Sequence, residues 1–297
     1  MLEAVFAAAP EAQLVIDANG TILLANRRAE ELFAYAPEAL LGRSVDTLVP
    51  TALAERHGRH RAAFHSAARA RPMGEGLDLR GRRADGCEFP IDVALGPAQV
   101  DGETVVVAIV RDVTERNLRD DRLRYLAEHD ALTGVLNRRG FNRQLVQELV
   151  QNRRHGIATA LMLIDFDGFK RVNDRFGHLR GDHVLHRVVQ AIAGRLRAGD
   201  TIARLGGDEC AVILPYATVA SAEAIGRELL AVARDAARAA TSGAIDVSAS
   251  IGVVGLGHPR QDATAAVAAA DAAMYEAKRA GGDAVRVAGV TPEDAVT

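Results

Sequence analysis

Thr159-Ala160-Leu161-Met162-Leu163-Ile164 is an uncharged, almost wholly apolar run that ends in Asp165-Phe166-Asp167. A run this short and this apolar predicts a strand buried on both faces, which needs helices above and below its sheet. The flanking segments supply them. Val184, Val188, Ile192 and Leu196 recur every four residues, and Leu185 and Val189 widen the stripe into an amphipathic helix. Ile202–Leu205, then Gly206-Gly207, then Cys210–Leu214 predicts a hairpin with a tight turn. A helix over Val219–Ala240, a strand over Asp246–Val254, a helix over Thr264–Arg279 and a strand near Val285–Val287 follow. The second half is therefore a mixed sheet flanked by helices.

The first half has a different rhythm. Leu14-Val15-Ile16, the turn Asp17-Ala18-Asn19-Gly20 and Thr21-Ile22-Leu23-Leu24 form a hairpin pattern, followed by a helix from Asn26 to Phe33. Turns at Asp85-Gly86 and Asp101-Gly102 separate apolar runs around Leu77–Leu79, Phe89–Leu95 and Val105–Val110. Antiparallel strands with a few helices predict an α+β domain. Between the halves, Asp112–Asp130 is charged, with Leu118, Leu123 and Leu126 too irregular for a heptad, and reads as a polar joining helix. Leu2, Val5, Phe6 and Ala9 predict a short amphipathic helix at the start.

With 297 residues, 48% of them apolar, the chain has material for two cores. A net charge of −3 gives no basic excess for a nucleic-acid polymer. Cys87 and Cys210 are too far apart for a metal-type pair, so a disulfide scaffold or zinc module is excluded. No apolar stretch approaches the roughly 20 residues of a membrane span, and the start lacks a signal peptide's basic residues. The expectation is a cytoplasmic protein with no membrane partner.

Two constellations carry chemistry. Asp165 and Asp167 end a buried strand, where a polar turn and a hard-cation site are both open readings. Gly206-Gly207-Asp208-Glu209 is either a plain hairpin turn or a place where side-chain-free backbone approaches a bulky ligand beside two acids. If the two stretches are adjacent, they form a divalent-metal pocket suited to phosphoryl or nucleotidyl transfer. Residues 167–182 read as a loop whose Gly168, Gly177 and Gly181 leave backbone N–H groups for phosphate. Asn173 and Asp182 are side chains able to read the adjacent donors of a guanine edge.

Asp130-Ala131-Leu132-Thr133-Gly134-Val135-Leu136-Asn137-Arg138-Arg139 resembles the opening of the GGDEF family of diguanylate cyclases. Asp165, Asn173, Gly177-His178, Gly181-Asp182, Arg204 to Glu209 and Ala277-Lys278 continue the likeness in order and spacing, over about residues 125–290. The resemblance implies an enzyme that joins two GTP into cyclic dimeric GMP and releases two pyrophosphates. Asp165, Asp208 and the backbone carbonyl of Phe166 would hold Mg²⁺ or Mn²⁺. Asn173, His178 and Asp182 would bind the substrate, with Gly206 and Gly207 against it, and Lys170 and Lys278 would neutralise its triphosphate. Asp208, with Glu209 beside it, would ease the proton off the ribose 3′-OH. Each domain binds one GTP, so two must face each other in a homodimer. Arg197 and Asp200 match the family's Arg-x-x-Asp product-inhibition site, and a helix end followed by a turn is the competing reading.

Two positions depart from the pattern. Cys210 stands where the family has Phe, and Gly282 where an Arg commonly sits. A packing role is expected for Cys210, and the loss of one phosphate contact at Gly282. The alternative reading is thus a weak or inactive domain that binds GTP or cyclic di-GMP.

Ile16–Gly20, Asn26 with Ala29-Glu30, Leu41-Gly42-Arg43, Asp85–Pro90 and the ending Arg111–Arg116 resemble a PAS sensory domain. Together the resemblances imply a PAS sensor over residues 1–116, a signalling helix over 117–130 and a GGDEF domain over 131–290. His57, after Leu48-Val49-Pro50, sits near the position of the haem-ligating His of oxygen-sensing PAS domains, whereas Leu77 replaces their distal Arg. A His on this helix is common without a cofactor, so an empty dimerisation or small-ligand module is the leading expectation, with haem on His57 the cofactor reading beside it.

Overall fold

The computed structural model describes residues 2–66, 71–73, 79–257 and 262–289. Two units separate, residues 1–121 and 122–297.

The first unit runs α1 (Leu2–Ala8), β1 (Ala12–Ile16), β2 (Ile22–Ala25), α2 (Arg27–Phe33), a short 3-10 turn (Val45–Leu48), α3 (Thr51–Ser66), β3 (Arg71–Met73), β4 (Arg80–Arg82), β5 (Glu88–Val100) and β6 (Glu103–Asp112). Its strands form one antiparallel sheet in the order β2-β1-β6-β5-β3, with β4 added to β5. The alternation Ala12, Leu14, Ile16 turns three residues of β1 into the core beside Ile22, Phe33 and Val110. Asn26 caps α2: its side-chain oxygen accepts from Ala29 N, and its Nδ2 donates to Glu11 O at 2.8 Å. That explains a 2% exposed polar residue in this core. Of the expected strand around Leu77–Leu79, Leu77 lies outside the described residues. Leu79 is not in a strand, and pairing starts at Arg80.

The polar connector is α4 (Thr114–Glu128), which has no buried residue. It falls within the stretch Asp112–Asp130 expected to form a polar helix.

The second unit continues with α5 (Arg138–His155), β7 (Thr159–Asp167), α6 (Phe169–Phe176), α7 (His178–Arg195), β8 (Thr201–Gly206), β9 (Glu209–Pro215), α8 (Val219–Ala240), β10 (Ser248–Leu256), α9 (Ala263–Arg279) and β11 (Ala284–Val287). The sheet order is β11-β10-β7-β9-β8, so the apolar run is its central strand. Among the described strand pairs of this sheet, β10–β11 is parallel and the others are antiparallel. The period of two divides β7 between two cores. Met162, Ile164 and Phe166 join residues of α6, α7 and α8. Leu161 and Leu163 join residues of α5 and α9. Asp165 and Asp167 share the parity of Leu161 and Leu163, and so end the face that α9 covers.

Residues 167–182 are not a loose loop. Phe169 and Val172, three apart, are buried in the core and wind α6, while Gly168 (φ +77°) and Gly177 (φ +79°) bound it in the left-handed region. Gly181 lies inside α7. Cys210 is fully buried opposite Ile164, the packing role expected of it. Burial pushes its thiol up to about 12, so it is not a thiolate at neutral pH.

Candidate active site

The strand pairing brings the two acidic stretches together. Asp165 on β7 stands opposite Glu209 on β9, and Phe166 N donates to Asp208 O at 3.3 Å across the turn. Asp165 is 7% exposed. Burial raises its carboxyl above the usual range, and the charges of Asp208 and Asp167 add to this against the opposing pull of Lys278. Lys278, near the end of α9, places Nζ 2.6 Å from Asp165 Oδ2. Burial acts to lower the Lys278 pKa, but its bond to Asp165 and the charges of Asp208 and Asp167 outweigh this and raise it. One ammonium thus faces a crowd of carboxylates.

Asp167 is not free to join them. Its oxygens accept from Ser248 Oγ (3.1 Å), Ser250 Oγ (2.9 Å) and Asp283 N (3.1 Å). It is a structural knot between β7, β10 and the approach to β11. Among the described residues, no three His, Cys, Asp or Glu side chains form a group that could hold a metal. Two carboxylates and a backbone carbonyl are donors of the kind that suits Mg²⁺, which is typically held by one or two carboxylates together with substrate phosphates.

The Gly206-Gly207-Asp208 turn is fixed from outside. Gly206 (φ +153°) and Gly207 (φ +53°) take backbone angles that side chains disfavour. Arg204 Nε donates to Gly207 O at 2.9 Å, and its Nη1 reaches both Asp130 oxygens at 3.2 Å. Asp130 also accepts from Thr133 N and Oγ1. Arg138 Nε holds Leu205 O at 3.0 Å, and its other nitrogen is 3.9 Å from Glu209. The charge pairing of Asp130 and Arg204 could have been suspected from the sequence. The Asp167–Ser250 bond could not, because it depends on the β7–β10 register.

Asn173 on α6 lies against Gly181 of α7: a Cβ on Gly181 would stand 1.8 Å from Asn173 Oδ1. That glycine is a cradle for the Asn173 side chain. Lys170, His178 and Asp182 are exposed. They share the α6–α7 segment with Asn173.

Arg197 and Asp200 close their own turn. Arg197 N donates to Asp200 Oδ2 at 2.9 Å, and Asp200 N donates back to Arg197 O. The Asp200 side chain is 4% exposed and that of Arg197 65% exposed.

In the first unit, His57 Nδ1 is 2.6 Å from Asp46 Oδ1, and Arg61 donates to Asp46 Oδ2 at 3.1 Å. His57 lines a cavity of about 250 Å³ whose walls are mostly apolar.

Residues 127–284, more than half of the chain, match the family model "Diguanylate cyclase, GGDEF domain". The chain belongs to the GGDEF family. Residues 1–113 match the PAS fold, so a PAS domain precedes the GGDEF domain. A curated relative, "Probable diguanylate cyclase DgcE" of Escherichia coli K12, is 31% identical over 284 residues, 93% of this chain and 25% of the relative. Another, "Cyclic di-GMP phosphodiesterase PdeR" of the same organism, is 34% identical over 181 residues, 60% of this chain and 27% of the relative. The chain thus spans about a quarter of the length of each. Among solved structures, the coiled coil and GGDEF domain of DgcB from Caulobacter crescentus, in complex with c-di-GMP, is 26% identical. It covers 59% of this chain and 93% of its own, with a TM-score of 0.52. Within the GGDEF domain, the departure at Gly282 has a structural reason. Its φ is +76°, and a Cβ there would lie 2.7 Å from Asp167 Oδ2. Asp283 pairs with Arg234 at 2.8 Å. Among the described residues, no helix is long and apolar enough to cross a membrane.

Proposed function

We propose that the chain condenses two GTP into cyclic dimeric GMP and two pyrophosphates. The single observation that carries this is the meeting of buried Asp165 with the Asp208 turn, with Lys278 paired to Asp165. Asp165, Asp208 and the Phe166 carbonyl are a donor set fit for Mg²⁺ or Mn²⁺. When bound, such an ion withdraws charge from the α-phosphate and lowers the hydroxyl pKa. Lys278 would neutralise the triphosphate from the end of α9, and Lys170 from α6. Asn173 and Asp182 accept from the guanine N–H groups, and His178 closes the same side. Asp208, with Glu209 next to it, takes up the proton of the ribose 3′-OH. The 3′-oxygen then bonds to the α-phosphorus of the GTP on a partner domain, and the bond from that phosphorus to pyrophosphate breaks. The same exchange in the opposite direction closes the ring, which requires a homodimer.

Arg197, with its guanidinium in solvent, would fork onto a phosphate or guanine edge of the product, Asp200 turning outward to join it. The PAS domain would regulate the rate through the polar helix. Incubation with GTP and Mg²⁺ followed by nucleotide chromatography tests the reading. The expected products are cyclic di-GMP and pyrophosphate in a 1:2 ratio; GTP retained unchanged on the protein overturns it.

The Asn173 cradle gives a sharper expectation. Gly181→Ala forces the Asn173 amide aside and raises the KM for GTP about tenfold, the value of one good hydrogen bond, with a smaller change in kcat. Steady-state kinetics at saturating Mg²⁺ checks it.

The haem expected on His57 needs a suitably held imidazole and room for a macrocycle. The Asp46 partner meets the first need, since a carboxylate commonly orients a ligating His. A cavity of about 250 Å³ fails the second, lying below the ~300 Å³ where pockets for drug-sized ligands begin. The residues do not fit haem, and no role is derived through it.

A further inference from the structure

The corner between α9 and β11 takes an unusual path. Gly281 (φ +112°), Gly282 (φ +76°) and Asp283 (φ +50°) are three consecutive residues in the left-handed region. Glycine enters that region freely, but an aspartate there is held by its surroundings rather than by preference. Asp167 supplies the hold. Asp283 N donates to Asp167 Oδ2 at 3.1 Å, and Gly282 passes so close that a Cβ on it would stand 2.7 Å from the same oxygen. Asp167 is itself fixed from β10: Ser250, fully buried, donates to Oδ1 at 2.9 Å, and Ser248 donates to Oδ2 at 3.1 Å. The corner also grips the helix before it. Gly281 N donates to Lys278 O and Gly282 N to Ala277 O, both at 3.1 Å. Lys278 is therefore tied by its own carbonyl into the corner that Asp167 clamps.

We propose that Asp167 is a positioning residue for the cyclase reaction: it clamps the α9–β11 corner and so fixes where Lys278 stands to meet the triphosphate. The proposal rests on the cyclase reading above. A helix end whose terminal groups lack partners frays, and a lysine side chain adds four flexible carbons of its own. The backbone that carries Lys278 must therefore be fixed if its ammonium is to stand ready beside Asp165, where Nζ lies 2.6 Å from Oδ2. Both Asp167 oxygens are engaged by the serines and the corner, so this carboxylate works on the backbone and not on the ion. Arg234 holds the same corner from outside through Asp283 Oδ1 at 2.8 Å. That pair is half exposed, where ion pairs contribute little, and the part-buried Asp167 is the stronger restraint. The clamp needs acceptor atoms, not charge, which separates it from an electrostatic role.

Equilibrium dialysis of the full chain against radiolabelled 3′-deoxy-GTP at saturating Mg²⁺, with steady-state kinetics beside it, tests the clamp. Asp167→Ala is expected to weaken the nucleotide and raise the KM for GTP at least about tenfold, with kcat changed less than about threefold. Asp167→Asn is expected to stay within about threefold of wild type. Its amide oxygen accepts from Asp283 N and Ser248, and its NH₂ donates to Ser250, whose hydroxyl serves either way. Lys278→Ala also weakens the nucleotide, and adding Asp167→Ala to it changes little further, because the clamp acts through that ammonium. Ser250→Ala frees one Asp167 oxygen without touching the corner. It moves KM in the same direction by a smaller factor, and it takes the place of Asp167→Ala should that variant fail to fold by circular dichroism. Undiminished affinity in the variant so used, an Asn variant no better than Ala, or additive losses in the double variant would overturn the proposal. A wild-type chain that binds no 3′-deoxy-GTP fails the cyclase reading and this proposal together, whereas a binding wild type with any of those three results fails the proposal alone.

Discussion

Asp208→Ala ends cyclic di-GMP formation, with the rate falling at least about 10³-fold, while the domain keeps its fold. The size follows from losing several kcal/mol of charge stabilisation at the reacting phosphate, at 1.36 kcal/mol per tenfold. The fold survives because the structural work of Asp208 is done by its backbone: its carbonyl accepts from Phe166 N, which any residue provides. Its φ is not positive, so alanine fits the turn without strain. Arg204 and Asp130 continue to hold the neighbouring Gly207. Initial rates by chromatography, with circular dichroism of the same sample, separate the two effects. A fully active variant would remove Asp208 from the chemistry.

Gly252→Ala is expected to be the most damaging single methyl group in the second unit. Gly252 lies on β10 opposite Leu163, under α9. A Cβ there would stand 2.0 Å from Ala270 O and 2.4 Å from Met274 N, both helix backbone atoms that cannot swing aside. Overpacked cores lose 1–3 kcal/mol and sometimes more, and a rigid obstacle belongs at the upper end, about 3 kcal/mol. For a unit of this size that lowers Tm by roughly 6–12 °C. The functional consequence is specific: lifting α9 carries Lys278 away from Asp165, so the variant also loses GTP affinity below its melting temperature. A thermal melt and a nucleotide titration on the full chain check both halves. An unchanged melt would mean that α9 does not rest on this glycine.

The parts of the fold legible in the sequence were those written in local pattern. The apolar run of β7, the Gly-Gly hairpin and the four-residue spacing of α7 each predicted their element and its neighbours. The Asp165–Asp208 meeting was a conditional reading in the sequence, and the β7–β9 pairing decides it. Three features were less legible. Residues 167–182 hid α6 and the start of α7 behind glycines that suggested looseness. Gly168 and Gly177 are boundaries, and Gly181 is a close approach. Helix α5 is signalled only weakly, because its arginine- and glutamine-rich sequence dilutes the Phe141, Leu145 and Leu149 stripe between the Asn137 cap and the Gly156 stop. The knot of Asp167 with Ser248 and Ser250 lies more than eighty residues apart in sequence, and only the β10 register reveals it.

Electron paramagnetic resonance of Mn²⁺ with 3′-deoxy-GTP, which lacks the attacking hydroxyl, probes the meeting of the two acids without turnover. The wild-type chain should immobilise Mn²⁺ tightly when this nucleotide is present and weakly without it, and Asp165→Asn with Asp208→Asn should abolish the nucleotide-dependent signal. A double variant that still immobilises Mn²⁺ as tightly as wild type would contradict the assignment of these carboxylates to the ion and its triphosphate.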